Sequence, residues 1–135
     1  MAKSNPPLIG WRERVRLPEL KAGMLVAKVD TGARSAALHA DDILVRGRRV
    51  SFRLGGRLHD MPFSGQRRVK NAGGRAETRV VIETEIKIGR HRFAAEVTLT
   101  DRADMGVPML LGRATIRGRF LVHPGRAFIQ SKKDP

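Results

Sequence analysis

A chain of 135 residues, 41% hydrophobic and 30% charged, is long enough for one domain with its own core and too apolar for a disordered polyelectrolyte. It has no cysteine, which excludes disulfides, thiolate metal sites and a cysteine nucleophile, and no run of about twenty apolar residues that would span a membrane as a helix. Lys and Arg number 27 against 13 Asp and Glu, a formal charge of +14, so the chain attracts polyanions such as nucleic acid, ribosomal surfaces or acidic peptides.

In chain order, residues 1–7 are expected to be a flexible tail; they lack the apolar stretch of a signal peptide, which points to a cytoplasmic protein. Period-two alternation then dominates. In "GWRERVRL" it puts Trp11, Glu13 and Val15 on one face and Arg12, Arg14 and Arg16 on the other, before a turn at Pro18. "MLVAKVD" is a strand with Leu25, Ala27 and Val29 on one face, and "DILVRGRRVSFRL" is a hairpin turning near Gly47. Residues 55–76, with five Gly and several basic residues, break the pattern and predict a flexible loop or mobile hairpin of the kind that is usually functional. The clearest hairpin follows. Val80, Ile82, Thr84, Ile86 and Ile88 alternate up to Gly89, and Phe93, Ala95, Val97 and Leu99 alternate back. "VPMLLGRATIRGRFLVHP" predicts a short apolar strand, a helical turn from Arg113 and a strand from Phe120 to Val122; "AFIQ" is a candidate last edge strand, and residues 131–135 a polar tail. The fold expected over residues 8–130 is mostly β, a closed or nearly closed barrel with one short helix.

One tripeptide carries chemistry. Asp30-Thr31-Gly32 ends the apolar strand, and Ala33 after it is also small. Peptide hydrolysis without a metal or covalent nucleophile needs an activated water, and two carboxylates sharing a proton supply both the base and the acid. Each must stand on a rigid turn: Thr31 offers a hydroxyl to lock it, and Gly32 leaves room for water and substrate. Asp and Gly also favour ordinary turns, so the tripeptide alone is a weak motif. The apolar strand before it and "MLLGR" about eighty residues later strengthen it.

With those neighbours, "KVDTGARSAALHA" resembles the catalytic turn of retropepsin-like aspartic peptidases, and Leu110-Leu111-Gly112-Arg113 resembles their second signature, placed structurally near the site. "IGWRERVRLPEL", "ETRVVIETEIKIG", "EVTLTDRADMGVPMLLGR" and "GRFLVHP" add an ordered likeness, from about Ile9 to Ile129, to the bacterial family labelled ATP-dependent zinc proteases. That family is RimB-like and is associated with the RimK glutamate ligase. The resemblance implies a retropepsin-like closed β-barrel, catalysis by Asp30 with Thr31 and Gly32, and trimming of oligoglutamate tails from a modified ribosomal protein. The family label sits badly with the residues. His39, His59, His91 and His123 are scattered, no His-Glu-x-x-His pair occurs and no phosphate-binding glycine loop ends in Lys-Ser or Lys-Thr, so no metal or other cofactor is expected. Two departures stand out. His123 occupies the place of a family Asp, and Arg34 and Ser35 replace the acidic residues that pair with the later Arg in retroviral proteases, so Arg113 needs another carboxylate.

The chain holds one Asp-Thr-Gly, so a dyad requires a twofold homodimer with Asp30 facing its symmetry mate. Residues 55–76 would be the flap. Ala33, Arg34, Arg67, Arg68, Lys70 and Arg79 are the candidate lining of a cleft for acidic peptide. The competing reading is a basic ribosome- or RNA-binding barrel in which Asp30 is only structural; few aromatics are present for base stacking.

Overall fold

The computed structural model describes residues 5–70, 73–102 and 105–131. Among these, alternating side chains build twelve strands and one helical turn: β1 (Leu8–Gly10), β2 (Arg12–Arg16), β3 (Met24–Val29), β4 (Ala36–His39), β5 (Asp41–Arg46), β6 (Arg49–Leu54), β7 (Arg57–Pro62), β8 (Gly65–Lys70), β9 (Ala76–Ile88), β10 (His91–Thr100), β11 (Met109–Leu111), α1 (Arg113–Ile116) and β12 (Leu121–His123). No described helix is long and apolar enough to cross a membrane.

Backbone pairing runs in a ring: β2 to β3, β3 to β11, β11 to β4, β4 to β10, β10 to β9, and β9 back to β2 through Val15↔Ile88 and Arg16↔Lys87. The inner face of the ring is the core. Val15, Ala27, Leu38, Ile82, Ile86, Ile88, Val97, Leu99, Met109 and Leu111 are all buried. The alternation expected on β9 and β10 places these residues inside, and the core is aliphatic as the scarcity of aromatics requires. Among the aromatics, Phe52 of β6 is fully buried and stacks on His59 of β7.

The segment 55–76 divides between two sheets instead of forming one loop. β7 completes a three-stranded sheet in the order β5–β6–β7, and β8 pairs antiparallel with the first half of β9 from Gly65↔Val81 to Lys70↔Ala76. Only the second part is the expected hairpin. Residues 71–72 lie outside the described residues. The glycines misled because Gly55 and Gly56 belong to the tight turn joining β6 to β7, while the polar content of β7 hid its alternation.

"AFIQ" is not a strand. Phe128 has φ +56°, which breaks extended geometry, and the segment instead forms a strap over the start of the chain. The strap packs so tightly on the β9–β10 turn that a Cβ at Gly89 would lie 2.5 Å from the Gln130 carbonyl oxygen. Its amides converge on Glu13, which is fully buried. Oε2 accepts from the amides of Gly10 (2.6 Å), Ile129 (2.9 Å) and Gln130 (3.2 Å); Oε1 accepts from the Ser131 amide (2.9 Å) and hydroxyl (2.6 Å). Ser131, the first residue of the expected C-terminal tail, is thus buried in the fold. Residues 1–4 and 132–135 of the two expected tails lie outside the described residues.

Burial pushes the Glu13 carboxyl up, but the donors from Gly10, Ser131 and Gln130 favour the ionised form and hold it below its ordinary value of 4.5. A carboxyl lowered on folding stabilises the fold above its unfolded pKa, and the contribution is lost as pH falls through the lower folded value. Glu13→Gln should therefore cost about 1–3 kcal/mol at pH 7, because the amide nitrogen meets donors where the carboxylate accepted. The difference from wild type should shrink in acid below pH 4. Urea unfolding of both proteins at pH 7 and pH 3 checks it.

Candidate active site

Asp30 leaves β3 at a turn that the backbone fixes from several sides. Its amide donates to the Leu111 carbonyl at 2.9 Å, the Ala33 amide returns to the Asp30 carbonyl at 3.1 Å, and Oδ1 accepts the Gly32 amide at 3.1 Å. An Asp side chain closing on the amide two residues ahead is the usual reason for Asp at such a turn.

β11 runs between the two strands that flank the turn, parallel to β3 (Leu111↔Val29) and antiparallel to β4 (Leu110↔Ala37). Beyond it the chain crosses the turn itself. The Arg113 amide donates to the Ala33 carbonyl (2.9 Å) and the Ala114 amide to the Arg34 carbonyl (2.8 Å). Gly112 is what permits this approach: a Cβ there would lie 2.4 Å from the Ser35 carbonyl oxygen. Arg113 Nη1 then donates to the Thr31 carbonyl at 2.8 Å. Among the described residues Arg113 thus meets a carbonyl where another carboxylate was expected. Thr31 enters this brace through its backbone.

The turn opens into a cleft of about 780 Å³. Asp30, Gly32, Ala33, Arg34, Leu110 and Arg113 line it from the turn side, and Arg67, Arg68, Lys70 and Arg79 from β8 and β9. Leu111 and Gly112 are buried behind it. Lys28, Ser35, Thr98, Arg102 and Met105 also line the cleft and were not foreseen. Lys28 was findable, since it lies two residues before Asp30 on the same side of the strand. Arg102 carries no such local signal; the ring brings it there.

Asp30 is the one carboxylate among the described lining residues, and cations surround it. Two of these are already paired: Arg67 with Glu96 and Arg79 with Glu77, each at 2.6 Å. Arg34, Arg68 and Lys70 have no carboxylate partner among the described residues. The described residues hold no cluster of three or more His, Cys, Asp or Glu able to bind a metal.

The model of RimB-like proteins, described as "retropepsin-like aspartic endopeptidase RimB", matches residues 8–133. The chain belongs to this RimB-like, retropepsin-like family. It is also 36% identical over 129 residues to a probable alpha-L-glutamate ligase of Parasynechococcus marenigrum, covering 87% of this chain and 28% of that protein. A second probable alpha-L-glutamate ligase, from Shewanella halifaxensis, is 33% identical over 136 residues, 92% of this chain and 30% of that protein. The chain thus spans less than a third of the curated relatives it matches. A crystal structure of a Legionella pneumophila protein of unknown function superposes with a TM-score of 0.76 at 29% identity, covering 93% of this chain and 99% of the other.

His123 accepts the Gly125 amide on Nδ1 at 3.0 Å, closing its own turn.

The brace makes a sharp prediction. Gly112→Ala should lower stability by about 1–3 kcal/mol, because the backbone of Ser35 must move to admit the methyl group. Thermal unfolding measures the loss. An unchanged melting temperature would show that the two segments are not clamped.

Proposed function

We propose that the protein is an aspartic endopeptidase that works as a homodimer on acidic peptides. The observation that carries this reading is the Asp30 turn, braced by the Gly112 crossing at the mouth of a cationic cleft. One Asp30 supplies one carboxylate, and acid–base hydrolysis needs two. A twofold partner would bring the second across an isologous interface. The ionised carboxylate takes a proton from water, and the water oxygen adds to the scissile carbonyl carbon as the protonated carboxyl hydrogen-bonds its oxygen. Collapse of the tetrahedral intermediate then breaks the C–N bond, with a proton passing to the leaving amine. No cofactor takes part. In this reading the β8–β9 hairpin, which carries Arg67, Arg68 and Lys70 along the cleft, acts as the flap.

The cations indicate the substrate. Arg34, Arg68 and Lys70 can meet carboxylates of the peptide without first breaking an internal ion pair. Relatives named probable alpha-L-glutamate ligases make glutamate tails the natural candidate, with a glutamylated ribosomal protein, met in the cytoplasm at or near the ribosome, as the carrier.

Incubation with a Glu-tailed peptide, followed by mass spectrometry, tests the reading. Wild type should cleave it and folded Asp30→Asn should lose about 10²–10⁴-fold or more. Excess Asp30→Asn mixed into wild type should suppress activity through mixed dimers. Full activity in the variant would overturn the mechanism. Tight RNA binding with a steep salt slope and no cleavage would favour a binding protein instead.

The cleft charge gives a separate expectation. Replacing Arg34 and Arg68 with Ala should raise KM for the Glu-tailed peptide and flatten its dependence on salt, which screens charges over about 10 Å at 0.1 M. Initial rates at two ionic strengths read both effects.

A further inference from the structure

The cleft does not end at Arg67. A second cavity of about 330 Å³ lies beyond it, and Ser35 and Arg67 line both. Arg67 Nη2 holds Glu96 Oε2 at 2.6 Å, so this ion pair forms part of the wall between the two spaces. The charge changes across that wall. On the near side Asp30 is outnumbered by cations; on the far side Glu83 and Glu96 face Arg67 and Arg119 over an alanine surface.

The far-side charges are not equally engaged. Arg119 is occupied: its Nη1 donates to the Thr115 carbonyl at 3.2 Å, its Nη2 lies 3.4 Å from the Ala94 carbonyl, and its guanidinium covers the Phe93 ring at 4.5 Å. Glu83 sits directly opposite Glu96 in the β9–β10 register. Like charges facing across a strand pair repel, and Arg67 is the cation that offsets them. Glu83 has no cationic partner of its own among the described residues. Drawing Arg67 away would leave two facing carboxylates beside a single committed arginine.

We infer that Arg67 and Glu96 exchange partners when substrate binds. An acidic side chain in the main cleft takes Arg67, and a basic side chain further along the same peptide enters the second cavity and takes Glu96 with Glu83. The inference rests on the peptidase reading above and narrows its substrate class. Cleavage is then favoured where an acidic run adjoins a Lys or Arg, as where an acidic tail meets a basic protein. An all-acidic peptide can claim Arg67 only by exposing the Glu83–Glu96 repulsion; a peptide carrying both signs restores the balance on each side of the wall.

The test uses fluorescent peptides with one Glu run and a Lys or norleucine placed at successive positions on either side. Cleavage by wild type gives KM and kcat, and anisotropy with the Asp30→Asn protein gives Kd. At one or two positions Lys should lower KM and Kd by about two- to fivefold, the range of an exposed ion pair, while kcat stays within twofold. Glu83→Gln and Glu96→Gln should each bring the Lys-to-norleucine ratio toward one. Equal affinity for both peptides at every position overturns the exchange, as does a Lys preference that survives Glu83→Gln. If no peptide is cleaved but Asp30→Asn still prefers Lys in a Glu83-dependent way, the exchange stands and the peptidase reading falls. If nothing binds, both fall.

Discussion

The contact on which the site depends is the crossing of Gly112 over the backbone of Arg34 and Ser35. A hydrogen where any other residue has Cβ lets two segments nearly eighty residues apart approach within backbone hydrogen-bonding distance. From that contact follow the bonds from Arg113 and Ala114 to the carbonyls of Ala33 and Arg34 and the reach of the Arg113 guanidinium to Thr31. The Asp30 carboxylate therefore stands on a turn fixed by main chain and by a braced arginine. The proposed catalysis needs such fixed support, because small displacements of a reacting group are expensive.

A second set of backbone contacts supports the same turn from behind. The Glu13 carboxylate gathers the strap at the end of the fold against β1 and β2. Trp11 lies between those strands: its amide donates to Arg126 of the strap at 2.9 Å, and its carbonyl accepts the Val29 amide at 2.9 Å, one residue before Asp30. The start and end of the described fold thus meet at the strand that carries the aspartate. A buried carboxylate with five donors is an electrostatic anchor where aliphatic packing alone would leave the strap amides unsatisfied.

The surplus of positive charge acquires a location. A net charge of +14 says only that the chain attracts anions. In the fold, part of it is focused around Asp30, the one carboxylate among the described lining residues, and part is already neutralised by Glu77 and Glu96. Counting charges in the sequence treats Arg67, Arg68 and Arg79 alike. The pairing separates them, since a cation bound to its own protein must lose that partner before it can serve a ligand.

The sequence by itself determined several of the strands and the turn. Period two on β9 and β10, the apolar strand before Asp30 and the one helical turn after Gly112 are local properties, set by which side of a strand each residue occupies and by the glycines between them. Even Glu13 was legible as sharing a face with Val15. The sequence did not reveal what Glu13 binds, because its partners other than Gly10 lie almost 120 residues away. Nor did it divide residues 55–76 between two sheets, turn "AFIQ" into a strap, or show that Arg113 answers to a carbonyl. Those outcomes depend on strand order, which threads β11 between β3 and β4 and returns β9 to β2. Side-chain alternation fixes which face a residue takes. Only closure of the ring decides what it meets there.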